Sequence, residues 1–274
     1  MGRISEKVGI AIITHTGHRR FLKPCLESCK KIEPKAIVVA YDCRFGGNPK
    51  SPMEANMPTY DTFTMADRWI VGDVGPRVNS WLWLTQYATT MIKQLGCDYV
   101  LSLNGDCIFT RPEGVDELYE MMVGQDASVI ACELRDEGFA GTTSYFAETE
   151  TAVVIGNHLV ENAFIAKTPE GKGFGNPEGR MGKAISLQGF KCATVRNPEH
   201  AQFSYGDRGT WGDVMGFYHL HGAEKYRKGA KELPFPREYY DMRYVNGAEK
   251  EALEYYWDTG KTDRFAELGY WKHT

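Results

Sequence analysis

Three short stretches of this sequence carry side chains that hold metals or move protons. Asn104-Gly105-Asp106 follows the apolar run Tyr99-Val100-Leu101-Ser102-Leu103 directly. A carboxylate at a strand end, beside a glycine that permits close backbone approach, suits a hard divalent cation and the phosphate oxygens around it. The same triplet also makes an ordinary tight turn; its place at the end of a strand is what favours the chemistry. His219-Leu220-His221, inside GFYHLHG, puts two imidazoles on one side of a strand. Histidine with carboxylate suits Mn²⁺ or a similar ion, and no third Cys or His has the spacing of a closed zinc site. Glu178, in GFGNPEGR, opens a helix-like stretch. It is either a carboxylate favoured by a helix dipole or a general base emerging from a glycine-rich loop. Lys225, Arg227, Lys228 and Lys231, interleaved with Tyr226, form either a solvated helix face or a contact for a phosphate-bearing partner.

These residues need elements to hold them. The run 8–14 (VGIAIIT) is almost continuously apolar, as in a strand buried on both faces. Phe21, Leu22, Cys25, Leu26 and Cys29 recur at helical spacing and predict a helix over 20–31. AIVVA at 36–40 predicts a second buried strand, 44–67 a long loop, and 69–71 a short strand. Pro76 stands at a favourable first-turn position for a helix with Leu84, Ala88, Met91, Ile92 and Leu95 on its buried side. Further strands are expected at 99–103 and 127–132, with a helix at 113–123 between them. The stretch 144–155 reads as a strand or hairpin, 178–188 as a helix and 191–195 as a strand. Helices are expected at 249–257 and 262–268. Strands alternating with helices mean a parallel sheet with right-handed crossovers, and such sheets bind ligands beyond the carboxyl ends of their strands. Thr14, Asp42 and Asn104 to Asp106 all fall at those ends.

Composition sets the bounds. The 274 residues are 42% hydrophobic, 25% charged and 12% aromatic, which excludes disordered, collagen-like and coiled-coil chains. The net charge of −4 argues against a dedicated nucleic-acid coat protein. No apolar run approaches the ~20 residues of a membrane span, and residues 1–6 lack the apolar core of a signal peptide. Seven scattered cysteines without a CxxC read as buried free thiols in a reducing compartment, so a cytoplasmic location is expected.

Taken in order, these segments resemble the nucleotide-sugar glycosyltransferases of the GT-A fold, family 2 type. GIAIITHTGHRRFLKPCLESC resembles that family's first strand, turn and helix, and IVVAYD its second strand with a terminal acid. VGPRVNSWLWLTQYA is similar to the segment before the metal motif. YVLSLNGDC falls at the Asp-x-Asp position, GFGNPEGRMGKAISLQGFKCATV at the acceptor side, and FYHLHG at a late histidine. The resemblance covers roughly residues 8–221. It implies a Rossmann-like, mostly parallel α/β sheet flanked by helices as one domain over 1–221. Residues 222–274 would form a C-terminal helical, aromatic extension packed on it.

The resemblance also implies roles. Thr14 and Thr16 would contact the nucleotide, Asp42 its base (uracil), and Arg77 its phosphates or base. Asn104 stands where the first Asp of the metal motif would be. Asp106, with His219 or His221, would bind Mn²⁺ or Mg²⁺ bridging the diphosphate of a UDP-sugar. Glu178 would be the base of an inverting transfer, although Gly179 removes the second member of the usual acidic pair. The loop 44–66, or 206–216 with Trp211, would close over the donor. The acceptor hydroxyl would belong to a small molecule, a glycan or a modified base of viral DNA. Two other classes stay open. One is a nucleotidyltransferase on a similar sheet, disfavoured because THTGHRR offers one glycine for a phosphate loop. The other is a non-catalytic sugar- or nucleic-acid-binding protein with a decayed metal motif.

Overall fold

The computed structural model describes residues 7–14, 18–32, 37–43, 60–72, 77–109, 113–131, 145–161, 184–194, 217–219, 236–245 and 247–268. Thr16, Glu178, His221, the closing loops 44–59 and 206–216, and the basic run 225–231 lie outside the described residues.

The central strand is β1 (Val8–Thr14), buried along its whole length. Helix α1 (Arg19–Ile32) returns along the sheet to β2 (Ile37–Cys43). A single turn, α2 (Tyr60–Phe63), precedes β3 (Arg68–Gly72), and α3 (Arg77–Gln94) crosses back to β4 (Tyr99–Asn104). β1 to β4 pair in parallel in the order β3-β2-β1-β4. After β4 come β5 (Cys107–Phe109), α4 (Gly114–Gly124) and β6 (Val129–Ala131). Next are β7 (Tyr145–Glu148), α5 (Thr149–Glu161) and β8 (Cys192–Thr194). β9 (Phe217–His219) leaves the main sheet and pairs with β5. The C-terminal part holds 3-10 turns at Arg237–Tyr239 and Met242–Tyr244, then α6 (Gly247–Thr259) and α7 (Asp263–Glu267).

The result is an α/β, Rossmann-like sheet of seven strands, mostly parallel, in the order β3-β2-β1-β4-β7-β6-β8. Two expectations change. β6 does not continue the parallel series beside β4, because β7 lies between them, antiparallel to both. The stretch expected as a strand or hairpin is a strand of four residues followed by a helix. Thr149 turns the chain there: its Oγ1 donates to the Cys97 carbonyl at 2.8 Å, and its N–H donates to that of Asp98 at 2.8 Å. Beyond it, Ala152, Ile155 and Leu159 are buried at helical spacing while Val154 is exposed.

The sheet is covered on both faces. Val8, Ile10 and Ile12 pack with Phe21, Leu22, Cys25, Leu26 and Cys29 of α1. Ala11 and Ile13 face Ala88 and Ile92 of α3. Each Val, Leu, Ile or Phe among them, fully buried, is worth roughly 1.5–3 kcal/mol. Gly9 lets α3 approach: a Cβ there would lie 2.3 Å from Ile92 Cγ2.

The C-terminal segment docks on α1, and the helix sequence explains how. Pro24 lies inside the helix and has no N–H. The carbonyl it would have served, that of Arg20, accepts instead from the N–H of Asp241 at 2.6 Å. Arg20 also pairs with Glu249 through side chains only 14% and 8% exposed. Arg19 stacks over the Tyr244 ring at 4.4 Å, and Phe21 packs against Tyr240 at 5.2 Å.

Candidate active site

The carboxyl ends of β1, β2 and β4 form one edge. Thr14 lies opposite Asp42, and Ile13 opposite Asn104. The parallel pairing runs one residue further, with Gly105 N–H donating to the Ile13 carbonyl at 2.6 Å. The chain then turns at Gly105-Asp106 and enters β5.

Gly105 is needed where it stands. A Cβ there would meet Thr14 Oγ1 at 2.9 Å, Thr14 Cβ at 3.0 Å and His18 Nδ1 at 3.3 Å. The missing side chain lets Thr14 and His18 crowd the turn, which brings them to Asp106. His18, one residue before α1, points Nε2 at Asp106 Oδ1 from 3.7 Å. His18 is 8% exposed and Asp106 only 1%. A separation of 3.7 Å is longer than a direct hydrogen bond. Thr14 Oγ1, also buried, makes no hydrogen bond among the described residues.

This donor set fits a divalent cation. It offers one buried carboxylate, one imidazole and a hydroxyl with spare capacity at the mouth of a parallel sheet. An ionised carboxylate taken out of water needs a compensating charge or hydrogen bonds. Among the described residues no group of three or more His, Cys, Asp or Glu side chains has metal-holding geometry.

The other expected residues fall as follows. Asp42 is the last residue but one of β2 on this edge, and Arg77 is the first residue of α3; their side chains lie outside the description. Asn104 is half-buried, and its carbonyl receives a long contact from Cys25 Sγ at 3.9 Å. His219 pairs across β5 and β9 with Cys107, the residue after Asp106. The backbone therefore brings His219 beside the Asn104-Gly105-Asp106 turn, although its side chain is not described. Thr16, Glu178 and His221 are not described at all.

The sequence reading missed His18. Its signal was present: a histidine four residues past a strand-end threonine, after a glycine, at the mouth of the first helix. It stands in THTGHRR, which by sequence alone reads as a poor phosphate loop. Two further buried hydroxyls lie near this edge. Ser102 Oγ and Tyr145 Oη sit on cross-strand neighbours, and neither makes a hydrogen bond among the described residues. Burial pushes the Tyr145 phenol up from its ordinary value.

No family model matches the chain, and no curated protein matches it. Among solved structures it is similar to a cytidylyltransferase from Leptospira borgpetersenii serovar Hardjo-bovis (strain JB197). The identity is 16%, over 70% of this chain and 76% of that chain, with a TM-score of 0.39. A likeness of that size does not distinguish one activity from another. No helix among the described residues is long and apolar enough to cross a membrane.

Proposed function

We propose that this chain is a metal-dependent glycosyltransferase that moves a sugar from a UDP-sugar to an acceptor hydroxyl. The observation that carries the reading is the buried Asp106 carboxylate at the tip of β4, beside His18 and next to the strand of His219.

A divalent cation at Asp106 would, when bound, stabilise negative charge gathering on the departing diphosphate. The chain's own residues do the rest. Asp42 accepts from the uracil ring, Thr14 and Thr16 border the nucleotide, and Arg77 donates to phosphate. Glu178 removes the acceptor proton as the new oxygen–sugar bond forms and the sugar–phosphate bond breaks. A base in this role contributes roughly a hundred- to ten-thousand-fold. The acceptor is a small molecule, a glycan or a modified base in DNA.

Nucleotidyl transfer on the same edge is the second reading. It would need cationic side chains just after β1 to grip a triphosphate. Arg19 and Arg20 stand there, and both are engaged by Tyr244 and Glu249 of the C-terminal segment. That engagement favours sugar transfer.

The test is a donor panel with Mn²⁺. Release of UDP from one UDP-sugar, lost in Asp106→Ala, supports the proposal. Release of pyrophosphate from a nucleoside triphosphate and a sugar phosphate moves the assignment to nucleotidyl transfer. Binding without turnover in either assay leaves a binding protein.

A further inference from the structure

We infer that His18 is a ligand of the cation at Asp106, and that it sets the site's preference for a nitrogen-tolerant transition metal over Mg²⁺. The inference rests on the metal-dependent reading above and adds a residue that the metal motif itself does not contain.

The geometry points there first. Two donors that share one ion, each about 2.1 Å from it, lie roughly 3.0–3.4 Å from one another at octahedral to tetrahedral angles. His18 Nε2 and Asp106 Oδ1 are 3.7 Å apart. That is too long for a hydrogen bond between them and within a few tenths of an ångström of the separation across a shared ion. Both side chains are almost wholly removed from solvent, at 10% and 2% exposure.

The packing is arranged to keep them there. Position 105 carries no side chain, and a methyl group on it would press within 3.3 Å of His18 Nδ1. The two residues after His18 are fastened to the C-terminal segment, Arg19 over Tyr244 and Arg20 to Glu249. The first turn of α1, and His18 with it, is therefore held from both sides.

The chemistry says what His18 is for. Asn104 offers an oxygen without charge where the motif would have a second carboxylate. Without His18, nitrogen could reach the ion only from the late histidines, His219 or His221, across the β5–β9 pair. An imidazole restores a strong donor, and Mn²⁺ accepts nitrogen more readily than Mg²⁺. His18 thus supplies ligation that the motif has lost and changes which ion the site prefers.

The experiment uses the full chain with Mn²⁺ alone as probe. Mn²⁺ affinity is measured by electron paramagnetic resonance, and nitrogen coupling to the bound ion by electron spin echo modulation. Wild-type protein should bind Mn²⁺ with nitrogen modulation and prefer it to Mg²⁺ in competition. His18→Gln should weaken Mn²⁺ binding tenfold or more, change Mg²⁺ affinity by less than threefold, and lose that nitrogen signal. The signal should persist in His219→Gln. If His18→Gln fails to fold, judged by circular dichroism, the double variant His219→Gln, His221→Gln decides alone: nitrogen coupling in it supports His18, and its absence overturns the inference. Wild-type protein that binds no Mn²⁺, or whose nitrogen signal and affinity survive His18→Gln, also overturns it. The two readings fail separately. Mn²⁺ held through His18 without turnover of any UDP-sugar removes the glycosyltransferase reading only. Mn²⁺-dependent UDP release from a His18→Gln variant with unchanged metal affinity removes the present inference only.

Discussion

The N–H of Asp241 donates to the carbonyl of Arg20, at 2.6 Å, across most of the chain's length. That carbonyl is available because Pro24, one turn later in α1, has no N–H to give it. A proline that would ordinarily weaken a helix here opens an acceptor, and the C-terminal segment fills it. We expect Pro24→Ala to restore a helical donor that competes for the same oxygen. Amide hydrogen exchange then reports the change: the Asp241 amide should exchange faster in the variant. Equal protection in both proteins would show that Pro24 has no part in the docking.

Arg20 and Glu249 form the second tie, 229 residues apart in sequence. Removing one partner of a buried pair leaves an uncompensated charge and costs roughly 3–5 kcal/mol. Glu249→Ala should therefore lower the urea midpoint strongly. The double variant Arg20→Met, Glu249→Leu should recover most of that loss, because neither charge then remains buried. A double variant no better than Glu249→Ala contradicts the account.

Gly9 predicts a rescue. A methyl group there would lie 2.3 Å from Ile92 Cγ2, inside a packed core. Gly9→Ala should destabilise the chain by roughly 1–3 kcal/mol through overpacking. Adding Ile92→Ala, which removes the clashing atoms, should restore part of it. Thermal melts of the three variants decide the matter, and strictly additive losses would argue against the clash.

Donor binding should show in stability. A ligand that binds only the native state adds about 2.7 kcal/mol at a hundred times its dissociation constant. UDP with Mn²⁺ should raise the melting temperature of the wild type and leave Asp106→Asn unmoved. An equal shift in both proteins would place the nucleotide away from the tip of β4.

Alkaline pH should weaken the fold. The hydrogen bond that the Cys29 thiol donates to Cys25, and burial after it, push that thiol well above its ordinary value of 9.0. Burial raises Cys97 and Tyr145 as well. In each case the native state holds its proton more tightly than the unfolded chain does. The stability these groups contribute is complete below the unfolded values and is lost as pH climbs toward the raised native ones. Urea midpoints should fall above about pH 9, and Cys29→Ala should flatten part of that fall. A level profile through this range counts against the assignment.

Local pattern alone determined the strands around the site. VGIAIIT, IVVAYDC and YVLSLN are apolar almost without a break, and such runs are stable only where both faces of a sheet are covered. Their carboxyl ends, at Thr14, Asp42 and Asn104, were legible for the same reason, and so was the turn at Gly105-Asp106 that follows. The helical nature of Thr149–Glu161 was less visible, because Ala152-Val153-Val154-Ile155 satisfies either period over so short a run. Only the tertiary structure inserted β7 between β4 and β6, paired Cys107 with His219, brought His18 to Asp106 and gave the Arg20 carbonyl to Asp241. Each of these joins residues distant in sequence, and each depends on a shape created by its neighbours: a missing Cβ at Gly105, a missing N–H at Pro24. A sequence pattern records which side chains prefer burial; which of them meet is decided when the packed elements close around those gaps.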